Sequence, residues 1–228
     1  MKVLAVGAHW DDIEIGCALT LARLRTRGAK LHGAVLTSSG YTVARDQHAR
    51  QDDKALAEGR RAFETLGIVH EPTTPLPNQR MTYDQKVMQE LEKIAAEREI
   101  DLVLTHWRGD LNTDHAATWE ISRLAFRRVP SLLLYQSNSY ADNIDIFVPH
   151  YFWTFTAEEY ERKKQLIAMH EGEWQYRRER WQREIFERER FWGHLAGADY
   201  AEAFMISRLR DSAELGLSSG LQGDRGRP

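Results

Sequence analysis

The stretch VLAVGAHWDDIE, residues 3–14, decides how the rest of the chain is read. Val3 to Val6 are apolar without alternation, the pattern of a strand buried on both faces. Gly7 and Ala8 end it. His9, Asp11 and Asp12 follow at once, and from Asp12 the apolar residues Ile15, Ala18, Leu19 and Ala22 recur at helical spacing. A strand that turns into a helix through a histidine and two carboxylates is chemically unusual.

Outward from there the same alternation repeats. Strands are expected at Lys2–Ala8, Leu31–Thr37, Ile68–His70, Leu102–Thr105 and Ser131–Gln136. Helices are expected from Asp12 to a stop near Gly28, then at Ala44–Leu66, Tyr83–Arg98 and Asp114–Arg127. The proline-containing stretch Glu71–Gln79 reads as a loop. Alternating strands and helices with no polar face on the strands predict an α/β fold, a Rossmann-like doubly wound, mostly parallel sheet over residues 1–137. Right-handed crossovers give the five strands the order 3-2-1-4-5.

Residues 138–211 form a C-terminal extension of the same domain. Ile144–Thr156 is rich in aromatic and β-branched residues and predicts a small β-element. Ala157–Leu195 is helix-forming, with Gly172 a candidate break. Trp174, Trp181, Ile185 and Trp192 fall on one stripe of it. Docking on the core is the expected use of that stripe, and a homo-oligomer interface is the alternative. Residues 212–228 are small, polar and glycine-rich and read as a flexible tail.

Composition excludes several classes. Among 228 residues, 31 Lys and Arg nearly balance 34 Asp and Glu, which argues against nucleic acid or an anionic membrane as main partner. No apolar run approaches the ~20 residues of a membrane span, and the N-terminus does not read as a signal peptide. One cysteine, Cys17, permits no internal disulfide. A cytoplasmic location is the expectation.

The second chemical segment is THWRGDLNTDHAAT, residues 105–118, directly after the fourth strand. In the order 3-2-1-4-5, strands one and four are neighbours at the switch point, where ligands bind beyond the strands' carboxyl ends. The fold therefore joins two segments about a hundred residues apart. His9, Asp12 and His115 make a set of two imidazoles and one carboxylate suited to a divalent metal with a position left for water. Zn2+ suits such a set best, and iron, cobalt or nickel would also fit. Asp11, beside a ligand yet left over, is a candidate general base. Taken singly, an aspartate here could be only a helix cap, Asp114 included. His106 and Asp110 face the crevice by position without an assigned role.

AHWDDIE resembles the AHPDDE signature of the LmbE-like, or PIG-L, zinc-dependent N-deacetylases. DLNTDHAAT resembles that family's second motif, HPDH and a small helix start, and YAEAF at 200–204 is similar to its C-terminal block. The resemblance implies hydrolysis of an N-acyl group, commonly N-acetyl on an amino sugar or glycoconjugate. It implies His9, Asp12 and His115 as zinc ligands and Asp11 as the base that later protonates the leaving amine. Two positions depart from the pattern. Trp10 replaces a proline and could stack on a sugar or pack beneath the loop. Asn112 replaces a histidine and could still donate an amide N–H to the oxyanion, with Asp114 orienting Asn112 or His115. Arg50 with Asp53 is similar to a substrate-facing Arg/Glu pair of the family, or is a plain solvated ion pair. The rival readings are an amidase acting on a non-sugar conjugate and a metal-containing binding module without catalysis. A nucleotide site is disfavoured, because GAHWDD lacks G-x-G-x-x-G and its carboxylates would repel a pyrophosphate.

Overall fold

A computed structural model describes residues 1–43, 48–138 and 145–210. The expected tail at 212–228 lies outside these residues. The five expected strands are β1 (Lys2–Gly7), β2 (Lys30–Val35), β5 (Ile68–His70), β6 (Leu102–His106) and β7 (Ser131–Tyr135). They pair in parallel in the order β5-β2-β1-β6-β7, which is the expected 3-2-1-4-5. Two later strands extend that sheet. β9 (Tyr200–Arg208) pairs antiparallel with β7, and β8 (Tyr151–Phe155) pairs antiparallel with β9. The small β-element expected around 144–156 is therefore the edge of the main sheet.

Helices α1 (Asp12–Thr26) and α2 (Asp52–Leu66) cover one face, joined there by α5 (Ala157–Ala168). Helices α3 (Gln85–Arg98) and α4 (Thr113–Ala125) cover the other. The change of face between α1 and α4 makes the switch point between β1 and β6. Close packing shapes α1. A Cβ on Gly16 would lie 2.2 Å from the Tyr135 ring, so only glycine lets the helix cross β7 there. One residue later Cys17 leaves helical geometry, with φ −155° and ψ 19°. The break frees N–H groups, and the buried Glu202 carboxylate of β9 accepts from Leu19 N at 3.0 Å and Thr20 N at 2.7 Å. A second N-cap is thus supplied from the far end of the chain.

Two expectations are corrected. The helix expected at Ala44–Leu66 begins only at Asp52. Before it, β3 (Tyr41–Val43) and β4 (His48–Arg50) form an antiparallel hairpin apart from the main sheet. Residues 44–47 lie outside the described residues. Over 48–50, local helix propensity lost to pairing with 41–43. The long C-terminal helix is two helices, α5 and α6 (Glu171–Leu195), which part at Met169–His170, just before Gly172. Its aromatic stripe docks inward, with Trp181, Ile185 and Trp192 all buried. Among the described residues no helix is long and apolar enough to cross a membrane.

Candidate functional site

The turn after β1 builds half of the site. Asp11 N–H and Asp12 N–H both donate to His9 O, and His9 N–H donates to Asp12 Oδ2 at 2.8 Å. This tight turn holds Asp11 at φ +154°, a conformation that costs an L-residue energy and persists where surroundings enforce it. Asp11 occupies the N-cap position of α1, yet its side chain makes no capping bond. Its carboxylate instead lines a cavity of about 510 Å³ at the carboxyl ends of β1 and β6.

The other half comes from β6 and the start of α4. His115 is fully buried, and its Nε2 lies 3.3 Å from Asp12 Oδ1 and 3.3 Å from His9 Nδ1. His9, Asp12 and His115 each bring a ligand atom within 4.8 Å of the others. The residues fit a divalent cation. Asp12 is fully buried, and among the described residues its Oδ1 has no hydrogen-bond partner. A buried carboxylate oxygen left unpaired is costly. Two imidazole nitrogens face each other beside it, and a cation would satisfy all three atoms.

The supporting contacts are specific. Asp110 Oδ2 lies 2.8 Å from His115 Nδ1, and Asp114 Oδ2 lies 3.0 Å from His9 Nε2. Each ring nitrogen turned away from the cluster thus meets a carboxylate, which fixes its orientation. Asp114 also accepts the backbone N–H groups of Gln79 and Met81. The sequence reading had Asp114 orienting Asn112 or His115. In the structure Asp114 orients His9, and Asp110 performs that task for His115. Asp114 is not the cap of α4 either. Asn112 is, with Oδ1 accepting Asp114 N–H at 2.9 Å, and the residue lines the cavity with its amide NH2 outside that bond.

His106, without a role in the sequence reading, is buried and stacks on His115 at 4.1 Å between centroids. Its Nε2 lies 3.1 Å from Asp12 Oδ2 and accepts Ala8 N–H at 3.2 Å. Its place as the last residue of β6, next to β1, was the available signal.

The electrostatics follow the geometry. Burial pushes the Asp11 carboxyl up to about 6, with the Asp12 charge adding and Arg50 opposing. Burial works against charge on His9, but hydrogen bonds to Asp114 and Asp12 outweigh it and carry the ring to about 9. Burial likewise opposes charge on His115, and Asp12 and Asp110 carry it to about 10. Asp12 stands well below the usual carboxylate range, since the His115 and His106 rings outweigh its burial. The cluster stabilises positive charge at its centre.

Arg50 does reach the cavity, by a route the sequence did not show. It ends β4 and is buried, and its Nη2 donates to Glu58 Oε2 at 3.1 Å and to Trp10 O at 3.1 Å. Asp53, its expected partner, accepts Lys54 N–H instead. Glu58 also accepts Gly172 N–H at 3.0 Å, tying Arg50 to the first turn of α6. From that turn Glu173 enters the cavity wall, accepting Tyr41 O–H and Arg177 Nε–H at 2.6 Å each. No sequence signal had marked Glu173.

For Trp10 the structure chooses between the two expectations. Its indole is 4% exposed and packs on Phe63 and His70, with ring centroids 5.2 Å away in both cases. A Cβ on Gly59 would lie 2.1 Å from that ring, so α2 approaches it through a glycine. The ring is absent from the cavity that Asp11 lines and does not stack on a ligand there. Of the two expectations for Trp10, packing beneath the loop is the one observed.

With this geometry in place, the relatives can be set beside it. The family described as PIG-L: GlcNAc-PI de-N-acetylase matches residues 4–126. The uncharacterized deacetylase YaiS of Escherichia coli (strain K12) is 32% identical over 145 residues, 60% of this chain and 74% of that protein. The N,N'-diacetylchitobiose deacetylase of Pyrococcus horikoshii is similar in structure with TM-score 0.73 and 20% identity, covering 90% of this chain and 83% of that one. GalB of Pseudomonas putida KT2440, a 4-carboxy-2-hydroxymuconate hydratase, is equally similar, with TM-score 0.73, 18% identity, and 92% and 97% covered. A deacetylase and a hydratase share this fold, so the fold alone does not select the reaction.

Proposed function

The chain belongs to the PIG-L family, and on that premise we propose that it is a metal-dependent hydrolase removing an N-acetyl group from an amino sugar or amino-sugar conjugate. The products are acetate and a free amine. The observation that carries the proposal is Asp12 Oδ1, buried without a hydrogen-bond partner among the described residues next to His115 Nε2, which His9 Nδ1 also faces, with Asp11 on the cavity wall.

His9, Asp12 and His115 would hold the metal, with Zn2+ the best match to the donors. Such an ion, when bound, polarises the amide carbonyl and makes water acidic. Asp11 takes the proton of the water that attacks the carbonyl carbon. As the C–N bond breaks, Asp11 returns that proton to the leaving nitrogen. Asn112 Nδ2 donates to the carbonyl oxygen as it gains charge. Asp114 and Asp110 keep His9 and His115 turned inward. Arg50, held by Glu58 and Trp10 O next to Asp11, offers a fixed cation to substrate oxygens in the cavity.

The test is acetate release over a panel of N-acetylated sugars, with metal analysis of the same protein. Release that disappears on chelation and returns with added metal is the expected result. A metal-loaded protein that frees no acetate from any sugar sinks the amino-sugar reading.

A further inference from the structure

Three side-chain amides on the cavity wall are turned by the protein itself. Asn112 spends its oxygen on Asp114 N–H. Asn138, just past β7, is buried and spends its oxygen on Trp181 Nε1–H, at 2.7 Å. Asn78 has the opposite sense. Its Nδ2 donates to Gly40 O at 2.6 Å, and its Oδ1 is buried without a partner. The partners leave no choice of orientation, because an indole N–H only donates and a carbonyl only accepts. No hydrogen bond engages Nδ2 of Asn112 or Asn138 among the described residues. The Asn78 oxygen is out of reach of the cavity, and the wall offers two amide donors, Asn112 and Asn138, with their senses fixed.

We propose that Asn138 is a substrate-binding residue and that Trp181 is the positioning residue holding its amide as a donor. This rests on the deacetylation reading and deepens it. The ligand must offer oxygens to Asn112 and Asn138, which describes a polyhydroxylated amide better than a fatty-acyl or aromatic one. A fixed donor left without an acceptor disfavours an analogue that lacks that oxygen, so a ligand that supplies it gains selectivity. Trp181 stands behind the site, packed with Ile15, Ile167 and Ile185. The Arg177 guanidinium lies 5.8 Å over its ring, a contact a phenyl ring keeps, so removing the N–H alone is felt through Asn138.

The test uses the full-length, metal-loaded protein and N-acetylglucosamine as probe. Asn138→Ala and Asn138→Asp should each raise KM about tenfold with a smaller change in kcat. Trp181→Phe keeps the packing and removes the N–H. It should raise KM roughly threefold in the native background and leave it unchanged in the Asn138→Ala background. An equal effect in both backgrounds overturns the positioning role, and an unchanged KM in both Asn138 variants overturns the contact. Side-chain amide NMR of 15N-labelled protein reads the contact without turnover. The Asn138 amide pair, assigned by its loss in Asn138→Ala, should shift on titration with the sugar, and a static pair overturns the proposal. A shift without acetate release overturns deacetylation and leaves the contact standing. Acetate release with unaffected Asn138 variants does the reverse.

Discussion

Two clusters of buried charge sit on either side of α1, and they are built to different ends. Behind the helix, Lys163 donates to Glu189 Oε1 and Glu202 Oε1, at 2.7 Å each. Tyr160 O–H donates to Glu189 Oε2, and the remaining Glu202 oxygen caps Thr20 N–H. All four carboxylate oxygens are engaged. In front of the helix Asp12, His106 and His115 are as deeply buried and His9 is half-buried, yet Asp12 Oδ1 and His106 Nδ1 have no hydrogen-bond partner among the described residues. Burial and charge are alike in the two places. What separates a brace from a binding site is unspent hydrogen-bonding capacity.

The sharpest break between the clusters should come from Asp11→Asn. Loss of the base should cut deacetylation about 10²–10⁴-fold while metal content and melting temperature stay near native. A variant that keeps full turnover would remove Asp11 from the chemistry. The brace should respond the other way. Lys163→Met leaves two buried carboxylates without their cation and should cost about 3–5 kcal/mol of unfolding free energy. Denaturant melts would measure it, and a variant as stable as the parent would show that the brace is not one.

His106→Ala tests the support of the front cluster. It should weaken metal affinity about 10–100-fold, the usual effect of losing a ligand's outer partner. Competition with a chelator reads it, and unchanged affinity would return His106 to packing alone.

The smallest effect is a pH slope. Burial works against the charge of Lys163, but Glu189 and Glu202 outweigh it and hold the ammonium above its ordinary range. A group raised in this way contributes its full stability below the unfolded value of about 10.4 and loses it as pH climbs through the folded value. The native protein should therefore lose stability more steeply than Lys163→Met in that alkaline window. Parallel curves would contradict the assignment.

The front cluster was readable in sequence because its parts stand at strand ends. HWDD follows β1, DH begins α4, and the order of a parallel sheet brings them together. Residues that reach the cavity from elsewhere carried no such mark. Asn138 and Glu173 are ordinary polar residues until Trp181 and Tyr41 are seen to hold them. Arg50 was noticed but paired with Asp53, three residues on. Its ion-pair partner, Glu58, is eight residues away because β4 stands outside the helix. For Trp10 the sequence leaves stacking on a sugar and packing beneath the loop both open, because a loop residue next to ligands can do either. Its burial depends on Gly59, which only tertiary packing reveals. The brace was illegible for the same reason, since Lys163, Glu189 and Glu202 lie on three separate elements.

The cap that Glu202 places on α1 also sets a timetable. The front cluster draws only on residues 9–115 and is complete in the chain once β6 and α4 have been made. The latch on Leu19 and Thr20 spans 183 and 182 residues, and β9 must also slip between β7 and β8. Contacts of that span are slow to close, so a ribosome-bound chain holds its ligand set well before it can hold the helix that carries Asp12. Truncation before β9 should leave α1 loose beyond Cys17, exchanging its amide protons fastest at Leu19 and Thr20.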